Sequence, residues 1–287
     1  MSNRGKMKST TVPGSSSLSK TPVAVIGAGK IGTILLQPLL RQGLLDKSLV
    51  HATVQHAERT KMLSKELGVK VSTDNVQAVG DADVVLICVK PQLVGGVMEQ
   101  ISSVASPKKL FISVAASVPT EYMERRVNGE CHVVRAMPNT PSMIGVGMTA
   151  LCKGKFASQA DVDLALRFFE PVGRTIVVDE KHMDAITGLS ASGPAFIYIM
   201  LESLAEGGVK VGLPRDMATL LAAQTTLGAA KMVLETGHHP ALLKDAVTTP
   251  AGCTIDGVLE LEEGGLRVTL IKAVVKAALR AKELVFS

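Results

Sequence analysis

Two stretches of this chain combine residue types and spacings that could do chemistry. The first is Gly27-Ala28-Gly29-Lys30-Ile31-Gly32, preceded by the apolar run Pro22-Val23-Ala24-Val25-Ile26 and followed by an apolar-rich helical segment over 33–42. Strand, glycine turn and helix in that order make a dinucleotide fingerprint. Gly27 permits the tight turn, Gly29 lets the backbone approach a diphosphate, and Gly32 lets the helix pack close to the strand. The diphosphate would rest on the open N–H groups at the helix start. A packing turn with no ligand would use the same glycines. The second stretch is 243–255, Leu-Lys-Asp-Ala-Val-Thr-Thr-Pro-Ala-Gly-Cys-Thr-Ile. Hydroxyls, Pro250 and Gly252 just before an apolar helix make a helix start with free N–H groups, a nest for a small anion such as a carboxylate. Thr254 adds a hydroxyl at that start. A plain capped loop would also account for these residues.

The elements that must position these stretches read as an alternation. A strand over 49–54 runs out into Gln55-His56-Ala57-Glu58-Arg59. A carboxylate at this strand end usually selects the unphosphorylated cofactor. Here there is none, and His56 and Arg59 can pair a 2′-phosphate, which favours NADP(H) over an ordinary solvated helix start. Helix 60–67, strand 69–71, helix 75–80 and strand 83–89 continue the rhythm and predict a parallel, doubly wound sheet. Ligands in such sheets lie beyond the carboxyl ends of the strands, so Val89, Lys90 and Pro91 are placed to line the cleft. Lys90 also suits a surface charge before a helix. Strand 110–114 ends in Ala115-Ala116-Ser117, small enough for a flat ring to lie against the backbone. Strand 132–136 ends in Met137-Pro138-Asn139-Thr140-Pro141, a loop stiffened by prolines. Edge strands are predicted at 147–152 and 175–178, with a helix over 159–169 between them.

From residue 180 strand signals stop, and 183–211, 215–235, 255–263 and 266–284 carry helical spacing. These helices are rich in Ala, Gly, Ser and Leu, and so much apolar surface is hard to bury within one copy. The expectation is an obligate homodimer with interleaved helices. Three parts follow: a basic, Ser-rich tail over 1–20, a nucleotide-binding domain over 21–179, and an all-helical domain over 180–287.

Composition excludes several classes. The formal net charge is +5, but Arg4, Lys6, Lys8 and Lys20 supply four positives before residue 21 with no acid among them, so the remainder is near neutral. With two Tyr, six Phe and no Trp, few stacking platforms exist, and no nucleic-acid surface is indicated. Cys88, Cys131, Cys152 and Cys253 are widely spaced, without metal-binding spacing, as in a reducing compartment. No unbroken apolar run approaches the ~20 residues of a membrane span. The expectation is a soluble, cytoplasmic chain whose tail is disordered, with a short transit peptide as the other reading.

Beyond single motifs, the chain resembles the pyrroline-5-carboxylate reductase family over about residues 22 to 284. The resemblance rests on Asp184-Ala185-Ile186-Thr187-Gly188-Leu189-Ser190-Ala191-Ser192-Gly193-Pro194-Ala195, Gly207-Gly208-Val209-Lys210-Val211-Gly212-Leu213-Pro214, Thr248-Thr249-Pro250-Ala251-Gly252-Cys253-Thr254-Ile255 and Leu261-Glu262. Val89-Lys90-Pro91 and Met137-Pro138-Asn139-Thr140-Pro141 follow the family as well. The resemblance implies a Rossmann-type sheet domain followed by an all-α dimerisation domain. It implies reduction of the cyclic imino acid L-1-pyrroline-5-carboxylate to L-proline with NADPH, NADH being a possible substitute, in dimers that commonly gather into larger rings. It places the cofactor against Ala28, Lys30, Ile31, Asn75, Val89, Lys90 and Ala116. It rests the substrate carboxylate on the N–H groups of Gly252, Cys253 and Thr254 beside Thr249, puts Glu180 on the substrate side, and pairs the Thr254 hydroxyl with the imine nitrogen. Two departures stand out. Thr249-Pro250-Ala251-Gly252 replaces the usual Ser-Pro-Gly-Gly, so the backbone at Ala251 is expected not to need a positive φ. Ala246 stands where relatives commonly carry Asn or Gln near the cofactor. A reductase of another cyclic imine and a non-catalytic nucleotide sensor stay open beside the main reading.

Overall fold

The fold is described from a computed structural model covering residues 18–127 and 129–284. The tail prediction for 1–17 lies outside the described residues, but its last part is ordered. Leu18–Lys20 forms a 3-10 turn, Thr21 N donates to Leu18 O at 3.0 Å, and the Leu18 side chain is buried in the core.

Eight strands form one sheet: β1 (Val23–Ile26), β2 (Val50–Thr53), β3 (Lys70–Ser72), β4 (Val84–Ile87), β5 (Leu110–Ser113), β6 (His132–Met137), β7 (Gly147–Lys153) and β8 (Gly173–Val177). Their order is β3-β2-β1-β4-β5-β6-β7-β8. Strands β1, β2, β4 and β5 are buried along their whole length, covered on both faces, and β1 and β4 are apolar throughout as such strands commonly are. Alternate residues feed two cores. Val23 and Val25 pack with Leu35, Leu36 and Leu39 of α1 (Lys30–Arg41) and Phe168 and Phe169 of α6 (Gln159–Phe169). Ala24 and Ile26 face the other core, with Ala78 of α3 (Asn75–Gly80), Met98 of α4 (Pro91–Gln100) and Met123 of α5 (Thr120–Glu124). Helix α2 (Glu58–Leu67) connects β2 to β3.

The sheet departs from the sequence expectation at its far end. Strand β7 is not an edge but lies between β6 and β8, and it runs antiparallel to β6, with Arg135 opposite Cys152. Strand β8 is the edge and runs parallel to β7. Helices α4 and α5 go beyond the elements the sequence predicts, and α1 begins at Lys30, three residues before the predicted start, because Gly32 belongs to its first turn.

Beyond β8 the chain is helical: α7 (Met183–Ile186), a π-helical turn (Thr187–Ala191), α8 (Gly193–Lys210), α9 (Arg215–Thr236), α10 (Pro240–Ala246), α11 (Cys253–Glu263) and α12 (Leu266–Glu283). The single helix expected over 183–211 is therefore interrupted. Gly188 lies in the π turn, where a Cβ would sit 2.7 Å from Ala278 N and 2.8 Å from Val274 O of α12. Backbone cannot yield there as a flexible side chain could, so Gly188→Ala is expected to lower stability by about 1–3 kcal/mol in chemical denaturation. Gly193→Ala, which meets nothing within 4 Å, is the control.

Helices α8 and α9 pair through small residues, Ala205 against Ala218 and Ala222. Much of their apolar surface stays open, including Tyr198, Ile199 and Leu204 on α8 and Leu220, Leu221 and Leu227 on α9. By length and mean hydropathy, 1.2 in each case, the helical stretches Glu180–Lys210 and Arg215–Thr236 reach the range of a membrane span, although neither is an unbroken apolar run.

Candidate active site

The sheet order reverses between β1 and β4, and the crevice at such a switch point is where an open α/β sheet takes its ligand. Gly27 sits there with φ +86, and a Cβ on it would lie 2.6 Å from Val89 Cγ1 and 3.1 Å from Val89 N, so the end of β4 presses directly on the turn. Gly27 N donates to Thr53 Oγ1 (3.3 Å) and Ala28 N to Thr53 O (2.7 Å), tying the turn to the end of β2. Thr53 thus shapes the turn although nothing in its sequence context marks it. A Cβ on Gly32 would lie 2.9 Å from Gly27 O, which explains the close helix packing. Gly29 differs from both, because a Cβ there meets nothing within 4 Å. No protein neighbour requires that glycine, and a ligand's diphosphate lying across it would. Thr33 N bonds back to Gly29 O, leaving the N–H groups of Lys30, Ile31 and Gly32 as the open donors of the helix start. The chain's own geometry therefore fits a dinucleotide.

Around this cradle, Gln55, His56 and Arg59 are exposed just past β2, with Arg59 in the first turn of α2 and no ion pair among the described residues. Lys90 is exposed and caps α4, Val89 and Pro91 are half-buried beside it, and Asn75 Nδ2 donates to Gln100 Oε1 at 2.9 Å. Ala116 is half-buried at the end of β5 and packs with Met137, Cys152 and Met183. Next to it Ser117 is buried with φ +64, and its hydroxyl has no partner. Nothing about a serine announces a left-handed backbone, so this feature escapes sequence reading. Asn139 does not point freely into the cleft: it accepts from Met148 N (2.9 Å) and donates to Ser190 O (3.2 Å), fastening the end of β6 to the π turn. Burial pushes the thiols of Cys88 and Cys152 up to about 12, so neither is a nucleophile at neutral pH.

Glu180 lies in the 3-10 turn Glu180–His182 that precedes α7. Its carboxylate accepts from Thr120 N (2.8 Å) and Thr120 Oγ1 (2.7 Å), and Arg135 Nη1 is 3.5 Å away.

The loop before α11 corrects two expectations. Gly252 N donates to Thr249 O at 3.1 Å, Pro250 occupies the second turn position, and Ala251 the third with φ +55. These are the features of a type II turn, whose third residue needs a positive φ. Ala251 thus adopts the conformation it was expected to avoid. The same bond occupies the Gly252 N–H, removing it from the predicted carboxylate donors. Ile255 N bonds Gly252 O at 3.3 Å, so Cys253 and Thr254 keep the open N–H groups. A Cβ on Gly252 would lie 2.3 Å from Thr249 Oγ1, which accounts for glycine at that position. Thr254 is half-buried and its hydroxyl has no hydrogen bond among the described residues; Cys253 is exposed. Because a left-handed L-residue costs roughly 1–2 kcal/mol, partly offset by glycine's entropy, Ala251→Gly is expected to raise stability by up to about 1 kcal/mol. Ala251→Val is expected to lower it, both read from urea midpoints.

The structure does not bring loop and cradle together within one chain. Among the described residues no hydrogen bond, ion pair or apolar cluster joins residues 240–263 to the sheet.

A doubly wound sheet with a glycine cradle at its switch point, followed by helices with uncovered apolar faces, defines a Rossmann-type dinucleotide-binding protein with an unpartnered helical domain. Residues 22–117 match the family model described as NADP oxidoreductase coenzyme F420-dependent, and residues 180–284 the one described as pyrroline-5-carboxylate reductase dimerisation. The chain belongs to the pyrroline-5-carboxylate reductase family. It is 43% identical over 262 residues to the pyrroline-5-carboxylate reductase of Methanosarcina acetivorans, covering 91% of this chain and 97% of that one. The solved structure of a pyrroline-5-carboxylate reductase from Coxiella burnetii is similar with TM-score 0.85 and 35% identity, covering 93% of this chain and 99% of that one. The Plasmodium falciparum enzyme solved with NADP bound has TM-score 0.84 at 28% identity, covering 93% and 99%.

Proposed function

We infer that this chain reduces L-1-pyrroline-5-carboxylate to L-proline with NADPH, as a homodimer. The observation that carries the reading is one family member holding both an open glycine cradle and a hydroxyl-bearing turn with two free N–H groups. The reduced nicotinamide supplies a hydride to the imine carbon, and the protonated nitrogen keeps the C=N electron pair as the amine of proline. The protein's part is mainly to align two carbons, since a protonated imine is already an electrophile and needs no strong acid.

The roles divide as follows. The turn from Gly27 to Gly32 holds the diphosphate, and Gln55, His56 and Arg59 the 2′-phosphate. Asn75, Val89, Lys90, Pro91 and Ala116 line the rest of the nucleotide. The N–H groups of Cys253 and Thr254 grip the substrate carboxylate, Thr249 and Gly252 shape that turn, and the Thr254 hydroxyl hydrogen-bonds the imine nitrogen. Glu180 presents an anion to the same nitrogen. The loop that closes each cleft comes from the second copy, a reading supported by the absence, among the described residues, of any hydrogen bond or ion pair from it to the sheet of its own chain. The sheet domain over 21–179 and the helical domain over 180–287 are then the two working parts. The open faces of α8 and α9 are dimer surface rather than membrane spans, since the dimerisation match covers both. Dimers gather into a larger ring in the cytoplasm, and NADH serves as a weaker donor.

The test is a panel of five- and six-membered cyclic imines, with and without a carboxylate, run with both cofactors and followed at the nicotinamide absorbance. The carboxylated five-membered ring with NADPH is expected to be best. Ala246, exposed at the end of α10 and without a polar side chain, is the reason to include six-membered rings. A clear preference for one of them would replace the substrate, and no turnover of any imine despite tight NADPH binding would overturn the reading.

A further inference from the structure

The buried charges outside the cradle converge on one carboxylate. Arg135 lies on β6 opposite Ser113, the last residue of β5, and its side chain is only 3% exposed. It stands 3.5 Å from both Glu180 and Asp184, whose side chains are 32% and 35% exposed. Its Nε has no partner. Glu180 is held more tightly from the other side, by the backbone and hydroxyl of Thr120. Glu124, whose carboxyl is raised by burial and further by Glu180, accepts from Lys155 N on the same side. Arg135 is thus a buried cation set between two acids that are partly open to solvent, Glu180 and Asp184.

The position of this cluster suggests a use. Ala116 packs against Met137, Cys152 and Met183, which follow or flank Arg135 and Glu180 in the chain and the sheet. Glu180 acts on Cys152 of the same cluster, so the anion and the end of β5 share one neighbourhood. A carboxylate has about four lone-pair positions; Thr120 fills two of those on Glu180 and Arg135 faces a third, leaving room for one more donor. That open position would take the N–H of a protonated imine as its donor.

We propose that Thr120 and Arg135 are positioning residues for the reduction, holding Glu180 as a fixed anion aimed at the protonated imine nitrogen. This rests on the role given to Glu180 above. Thr120 acts through hydrogen bonds that fix the carboxylate's rotamer. Arg135, buried and 3.5 Å from both Glu180 and Asp184, anchors that carboxylate a second time.

The experiment is steady-state kinetics on the intact dimer, with imine KM, kcat, NADPH affinity by fluorescence and melting temperature recorded for each variant. Thr120→Val, which keeps shape and removes the hydroxyl, is expected to raise imine KM about tenfold, with NADPH affinity unchanged. Thr120→Ser restores the donor and the KM. Arg135→Lys, which keeps the charge but loses the planar fork, is expected to show the same KM defect in smaller measure. In a Glu180→Gln background, Thr120→Val is expected to add nothing, because its effect runs through that carboxylate. An unchanged imine KM in Thr120→Val, failure of Thr120→Ser to restore it, or full additivity with Glu180→Gln would overturn the proposal. If Thr120→Val melts too early to assay, Arg135→Lys decides by the same criterion: an unchanged imine KM overturns the proposal. Wild-type protein that turns over no imine would instead refute the functional reading itself.

Discussion

Gly29→Ala is expected to abolish useful NADPH binding while leaving the protein as stable as the parent. The added methyl meets no protein atom within 4 Å, and φ at this residue is −84, where any residue is at ease. The methyl would nevertheless occupy the path by which a diphosphate reaches the open N–H groups of α1. Breaking the hydrogen bonds from those amides to phosphate, compounded by a steric clash, amounts to about a hundredfold or more in affinity, roughly 2.7 kcal/mol. Gly27→Ala would weaken binding for a different reason. Its Cβ would press on Val89 Cγ1 at 2.6 Å and its φ of +86 is strained for an L-residue, so the fold itself should weaken. Fluorescence titration with NADPH alongside thermal melts separates the two. Parent-like binding by Gly29→Ala would mean that no diphosphate crosses that residue.

Thr254→Ala is expected to lower kcat about a hundredfold, the scale of removing a group that acts on a reacting nitrogen, while leaving NADPH affinity at the parent value. The Thr254 hydroxyl is half-buried, bonds to no partner among the described residues, and stands at the start of α11 beside two open N–H groups. Thr254→Ser keeps the oxygen and should retain most of the rate, whereas Thr254→Val keeps the shape and should not. Single-turnover measurement at saturating NADPH checks this directly. An alanine variant with parent-like kcat would remove the hydroxyl from the chemistry and leave it a helix-start residue only.

Much of this arrangement is legible in the amino-acid sequence. The runs Val23–Ile26, Val84–Ile87 and Leu110–Ser113 are apolar nearly throughout and bounded by polar or turn residues, so their burial and strand form follow from composition alone. Helix α6 is legible to the residue because Ser158 and Asp161 form a reciprocal capping box at its start. The reversed direction of β7 is not, since an apolar run looks the same whichever way the chain travels. Nor is the π turn, because the close approach of Gly188 to α12 is a tertiary fact. Helix α4 hides behind Gly95 and Gly96, poor helix formers, of which Gly95 makes room for the Tyr122 hydroxyl.

At the site, the glycine cradle declares itself through order and context. The left-handed backbone at Ser117 and Ala251 does not, because neither residue type signals a positive φ. The clamp on Glu180 joins residues 60 positions apart, and no local pattern could pair them. The separation of loop and cradle within one chain has the same origin. On the proposed reading they meet only across two copies, and the open faces of α8 and α9 show that second copy only as a missing partner.

The most direct measurement mixes two inactive variants, Gly29→Ala and Thr254→Ala, by unfolding and refolding them together. If each cleft joins the cradle of one copy to the loop of the other, every mixed dimer carries one wholly native site, and activity should return to roughly a quarter of the parent by random pairing. Activity no greater than that of the two variants assayed apart, despite mixed dimers confirmed by native mass spectrometry, would contradict a site built from two chains.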